Sequence, residues 1–145
     1  MMEVNFHYQI MAVHTEFQKK VLNRLRKAGL TAGQPKVLDY LQDHNGANQK
    51  AIAAGCHMEP ASASSVLTGM EHAGLIFRQA VPGDRRSLQV YLTALGKEKA
   101  ELTRRVFASL EEQALDGLEE RQRRELVALL AEIVKNLKDR KEEAE

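Results

Sequence analysis

Asp84-Arg85-Arg86-Ser87-Leu88-Gln89-Val90-Tyr91-Leu92-Thr93-Ala94-Leu95-Gly96 decides how this 145-residue chain folds. Leu88, Val90 and Leu92 alternate with Gln89 and Tyr91, the period of a strand with one buried face. Just upstream, Val81-Pro82-Gly83-Asp84 supplies a turn, and Leu75 to Val81 reads as the partner strand. Residues 75–92 are therefore expected to form a β-hairpin whose tip carries Arg85 and Arg86.

On both sides of the hairpin the period becomes helical. Glu59-Pro60 opens a helix, because proline at the first helical position has no N–H to lose. That helix runs to Ala73 and Gly74 closes it. Ala63, Val66, Leu67 and Met70 form its apolar stripe, while Ala61, Ser62, Ser64, Ser65 and Thr68 make a small, polar opposite face. Such a face is unusual on a merely solvated helix, where Glu and Lys are better helix formers. A shorter helix, about Asn48 to Ala54, precedes it and stops at Gly55, after the loop signal His44-Asn45-Gly46. Thr31-Ala32-Gly33-Gln34 reads as a capping box with Thr31 as N-cap, opening a helix to about Asp43. Pro35 lies in its first turn, and Val37, Leu38 and Leu41 point inward. The opening helix, about Asn5 to Ala28, carries Ile10, Val13, Phe17, Val21 and Leu25 on one face, and Gly29 suits its end. From Thr93 a long helix runs to about Leu115, breaks at Asp116-Gly117, and gives way to a last helix to about Lys138. Leu126, Leu130, Ile133 and Leu137 repeat along that last helix.

Composition sets the outer limits. The length suits one compact domain, and 43% hydrophobic with 28% charged residues is ordinary for a globular protein. There is no apolar run long enough to span a bilayer and no leader-like start, and the single Cys56 allows no internal disulfide or Cys-rich zinc site. These features lead us to expect a cytoplasmic protein without membrane association or cofactor. Net charge is only +1, but residues 74–105 hold seven Lys and Arg against three Asp and Glu. The hairpin region is thus basic, whereas residues 59–73 hold two acids and no Lys or Arg.

Short helices followed by a hairpin, flanked by longer helices, make a mainly α, winged helix-turn-helix layout with a two-stranded β-wing. Groove geometry explains it: a short helix that is apolar on one side and small or polar on the other fits the major groove and reaches base edges. A basic hairpin tip beside it reaches the backbone or the minor groove. The expected DNA contacts are Ala61, Ser62, Ser64, Ser65 and Thr68 on the helix and Arg85 and Arg86 on the wing. Lys36, Lys50 and Arg78 are further candidates for phosphate contacts, which position a protein without specifying sequence. Asp84 reads as structural, ordering the turn or pairing with Arg86.

The chain also resembles the MarR family of bacterial transcriptional regulators over essentially its whole length. Residues 84–96 fit the family's D-x-R-x-x-x-V-x-L-T-x-x-G wing pattern at every fixed position, and Leu30-Thr31 and Gly74-Leu75-Ile76 stand where the family has them. The resemblance implies a homodimer whose first and last two helices interlock, binding to pseudo-palindromic operators, and release by a small ligand or by oxidation. On that scheme residues 1–30 and 96–145 supply dimerisation helices and residues 31–95 the DNA-binding region of a single domain. One departure is clear: Ser65 and Gly69 stand where many members carry Arg or Lys.

The remaining candidates are weaker in chemistry. Cys56 follows the third helix, not the first where peroxide-sensing relatives carry theirs, and reads as a small half-buried residue beside His57. His7, Met11 and His14 share a helical face but lack the further ligands a metal needs. Tyr8, Met11, His14, Phe17 and Tyr40 are candidate walls of a pocket for a small aromatic or amphipathic ligand, or else core and dimer contacts. No Gly-rich phosphate loop, acid–base carboxylate pair or nucleophile with a placed base is present, so an enzyme is not expected. The competing expectation is a winged helix that has lost sequence-specific DNA binding and serves as a protein-interaction module.

Overall fold

The structure, a computed structural model, describes residues 5–139 apart from the Arg85 and Arg86 side chains. In chain order the elements are α1 (Phe6–Arg26), α2 (Gln34–Asp43), α3 (Gln49–Gly55), α4 (Pro60–His72), β1 (Ile76–Val81), β2 (Asp84–Leu92), α5 (Ala94–Ala114) and α6 (Glu120–Asp139). This is the mainly helical winged layout expected from the sequence. The chain divides into two compact units, residues 1–110 and 111–145.

In the first unit the core is built from α1 to α5 and the hairpin. Val37, Leu38 and Leu41 are completely buried, as are Leu25, Ile52, Leu67 and Met70. Each such side chain contributes about 1.5–3 kcal/mol over its exposed state, and that burial holds the short helices in place. Only the C-terminal half of α1 joins this core: Val21 and Leu25 are buried, whereas Ile10 and Val13 on the same stripe are exposed. Phe17 lies between these regimes and stacks on Phe107 of α5 at 6.4 Å.

The start of α2 differs from expectation. The Gln34 carboxamide does accept the Thr31 N–H at 3.1 Å, one half of a capping box. Yet the N-cap is Gly33, in the left-handed region at φ +87°, and no side chain caps the helix. The left-handed turn at Gly33 inserts itself between Thr31 and the first helical residue, so the Thr31 hydroxyl is not the cap.

β1 and β2 pair antiparallel from Ile76↔Leu92 to Val81↔Asp84, with a register shift between Ala80 and Val81. Pro82 and Gly83 alone form the turn, with Gly83 at φ +86°. The two-residue turn lets Asp84 pair with Val81, and after a bulge over residues 85–87 the register continues at Leu88 opposite Ala80; β2 thus begins at Asp84, and Arg85 and Arg86 belong to its first residues. The root of β2 is paired on its other side too: Gly46 N–H donates to Val90 O at 2.8 Å and Val90 N–H to Ala47 O at 2.9 Å. Asn45 Oδ1 accepts the Leu92 N–H at 2.8 Å.

In the second unit α6 has no buried residue. Val127, Leu129, Val134 and Leu137 are all exposed, and the last is 76% exposed. At the turn before it Gly117 takes φ +86°, and Arg123 makes a bidentate pair with Glu112 at 3.0 and 3.1 Å.

Candidate nucleic-acid interface

The helix-turn-helix begins at Asn48, whose Oδ1 accepts the Ala51 N–H at 2.8 Å and caps α3. After α3 the chain reverses through His57, which has a left-handed φ of +54°, and the Met58 N–H returns to Ala53 O at 2.8 Å. Pro60 then starts α4. Ala63, Leu67 and Met70 face the core, and Ala61, Ser62, Ser64, Ser65, Thr68 and Gly69 are exposed. The sequence-expected reading residues on this helix thus share one open surface.

The hairpin is tied to that surface by Arg78 of β1. Its Nη2 donates to Thr68 Oγ1 at 3.4 Å, and its Nε lies 3.4 Å from Glu71 Oε2. Arg78 is one of the residues expected at phosphates; its side chain is 19% exposed, with Nη2 and Nε beside Thr68 and Glu71 of the helix. The missed partner, Glu71, was visible as an acid on a helix otherwise lacking charge beyond Glu59.

Between α3 and the hairpin lies a cleft of about 400 Å³ lined by Asn48, Gln49, Lys50, Arg78, Ser87 and Leu88. Lys50 is exposed and lines this cleft together with Ser87 and Leu88 of the hairpin. The Arg85 and Arg86 side chains lie outside the described residues; their backbone belongs to β2, two and three residues beyond Gly83.

Lys36 stands apart from this surface. It lines a separate cavity of about 330 Å³ with His14, Gln18, Val21, Pro35 and Phe107. Of the residues expected around a ligand, His14 lines this cavity and Phe17 stacks on its wall residue Phe107. Tyr8 and Met11 lie on the exposed first half of α1. Tyr40 is elsewhere: its ring stacks on His44 at 4.2 Å and packs so closely on Gly55 that a Cβ there would overlap it.

Two further groups are settled by their surroundings. Cys56 is buried, its Sγ 3.5 Å from Lys36 O, and burial pushes the thiol up, away from the reactive thiolate. Arg104 of α5 reaches two acids of α2, with Nε 2.9 Å from Asp39 Oδ1 and Nη2 2.8 Å from Asp43 Oδ2. The Arg104 hydrogen bond holds the Asp43 carboxyl below its ordinary value. Sequence reasoning passed over this fork; its signal was Asp39 and Asp43 four residues apart on one helical face.

These features are found together in known proteins. Residues 30–88 match the MarR family model. The chain is 24% identical over 134 residues to the HTH-type transcriptional regulator BilQ of Clostridium symbiosum, covering 92% of this chain and 93% of that one. Its structure is similar to that of S. aureus MepR in a DNA complex, with a TM-score of 0.85 and 25% identity, covering 94% of this chain and 100% of that one. It is also similar to the transcriptional repressor CouR bound to a 23-mer DNA duplex, with a TM-score of 0.80 and 26% identity over 90% of this chain and 92% of that one. The hairpin, the capped helix-turn-helix and these likenesses agree: residues 30–88 are similar to the MarR family, in a chain that is similar along about nine-tenths of its length to known transcriptional regulators.

Proposed function

We propose that this protein is a transcriptional regulator that binds duplex DNA as a homodimer. The observation that carries this reading is the open Ser/Thr face of α4, held by Arg78 to the hairpin that presents Arg85 and Arg86. In a symmetric dimer the two α4 helices enter successive major grooves, about 34–36 Å apart, and recognise a pseudo-palindromic operator. Residues 31–95 act as the DNA-binding region, and residues 1–30 and 96–145 as dimerisation helices. The apolar side chains that α1 and α6 leave exposed supply the surface for that association. The cavity beside Phe107 takes a small aromatic or amphipathic effector, whose unequal affinity for two dimer conformations releases DNA. No catalytic role belongs to this reading.

Because α4 carries no Lys or Arg, it lacks the bidentate guanine contact, and more of the affinity rests on the wing. Fluorescence anisotropy with duplex from the gene's own upstream region, against a scrambled duplex across a salt series, tests the proposal. Tight, salt-sensitive preference for the upstream duplex is expected, lost in Arg86→Ala. Equal, weak, salt-insensitive binding to both would overturn it in favour of a protein-interaction module. Sedimentation of the free protein measures the dimer independently.

A further inference from the structure

Arg78 departs from the role its charge suggests, and its surroundings define another. Thr68 Oγ1 donates to Ser64 O at 2.9 Å, the i−4 carbonyl of its own helix. The same oxygen accepts from Arg78 Nη2 at 3.4 Å. A threonine hydroxyl has one proton and two lone pairs. With the proton and one lone pair engaged inside the protein, Thr68 offers the outside one lone pair and its methyl. Glu71, 3.4 Å from Arg78 Nε, balances the guanidinium charge locally. Arg78 is largely covered, and its Nη2 and Nε lie against α4, so part of its donor set is already engaged inside the protein.

We propose that Arg78 is a positioning residue for sequence reading: it fixes Thr68 as an acceptor and locks β1 to α4, so that helix and wing meet DNA in one register. An acceptor-only Thr68 selects a base edge that donates, the exocyclic amine of adenine or cytosine, and its methyl adds apolar contact with thymine. This deepens the DNA-binding reading and rests on it.

The test uses the full-length protein and a pool of randomised duplexes. Wild type, Thr68→Val, Arg78→Gln and Arg78→Lys are each used to select duplexes, and binding of the wild-type-selected duplex and its single-pair variants is then titrated across salt. The base pair at which Thr68→Val loses preference marks the Thr68 contact. Both Arg78 variants are expected to lose roughly fivefold in discrimination at that same pair, with the salt slope unchanged. The double variant Thr68→Val/Arg78→Gln is expected to lose no more than either alone. Arg78→Lys keeps the charge and the covered stem but lacks the fork, so it remains informative where the glutamine variant unfolds. A uniform loss on all duplexes with a salt slope smaller by about one in Arg78→Gln, but retained in Arg78→Lys, would make Arg78 a phosphate contact and overturn the proposal. Additive losses in the double variant would overturn it too. Failure of the wild type to enrich any duplex counts instead against DNA binding itself, and the role of Arg78 falls with it.

Discussion

The carbonyl of Leu75 occupies the place where a Cβ on Gly96 would stand. That same carbonyl accepts the Thr93 N–H at 3.0 Å, and Thr93 Oγ1 donates to Gly74 O at 2.6 Å while accepting the Gly96 N–H at 3.0 Å. The start of α5 is thus pressed onto the junction between α4 and β1. Gly96→Ala is expected to force backbone apart there and to destabilise the protein by about 1–3 kcal/mol. Urea midpoints of the two proteins check this; an unchanged midpoint would mean the crossing relaxes freely.

His57 takes a left-handed φ of +54° without being glycine. A non-glycine residue there costs about 1–2 kcal/mol, part of which glycine returns through its freer unfolded chain. His57→Gly is therefore expected to raise stability by about 0.5–1 kcal/mol, and His57→Val to lower it. Thermal melts of both variants give the sign directly, and a drop for glycine would show that the imidazole contributes more than its backbone costs.

Gly69 lies within α4, and a Cβ there would meet only Gln34 Nε2, at 3.8 Å. Packing inside the protein therefore gives no reason for a residue that costs a helix about 0.5–1 kcal/mol relative to alanine. Gly69→Ala is expected to raise the melting temperature yet weaken operator binding, since the added methyl stands on the reading face. Tighter folding with undiminished DNA affinity would remove Gly69 from that face's function.

The Arg104 fork makes stability depend on pH in a defined direction. Its hydrogen bond lowers the folded-state pKa of Asp43 beneath the ordinary value of 3.8. A depressed carboxyl stabilises the fold above the unfolded value and loses that contribution as pH falls through the folded one. Wild type is accordingly expected to lose stability below about pH 4 more steeply than Arg104→Met. Urea midpoints at pH 7, 5, 4 and 3 would reveal parallel curves if Asp43 and Arg104 were independent.

What the sequence made legible was whatever repeats locally. Helix periods placed Val37, Leu38, Leu41, Leu67 and Met70 in the core, and the alternation placed the wing strand, with Val90 and Leu92 buried but Leu88, beyond the bulge, exposed. Turn chemistry at Gly29, Gly74 and Gly83 marked where elements end. The exposed face of α4 was equally plain, because small residues on one side of a helix are a one-dimensional pattern. Long side chains were a different matter. Nothing in the neighbourhood of Arg78 says that it folds back on Thr68 and Glu71, ten and seven residues earlier. Nor does Arg104 announce partners 65 and 61 residues away. Lys36 shows the same limit: a cation on a short helix reads as a surface charge until the helix's neighbours, here His14 and Phe107, are known. Ile10 and Val13 show it in reverse, since an apolar stripe states that a face is to be covered without stating whether the same chain covers it.

The pairing of β2 with residues 46–48 has a further result, visible in amide exchange. At Val90 the strand is held on both sides, to β1 and through Ala47 O, so its N–H is released to solvent only when the contact with the segment before α3 opens. Phe77 and Gln79 of β1 have β2 on one side alone, the sheet's order being β1-β2. Deuterium should therefore enter β1 well before it enters the root of β2, which exchanges with the helical core as one cooperative block. Changes towards the Pro82-Gly83 turn then leave that block undisturbed, so the outer hairpin can be tuned for its partner without cost to the folding unit beneath it.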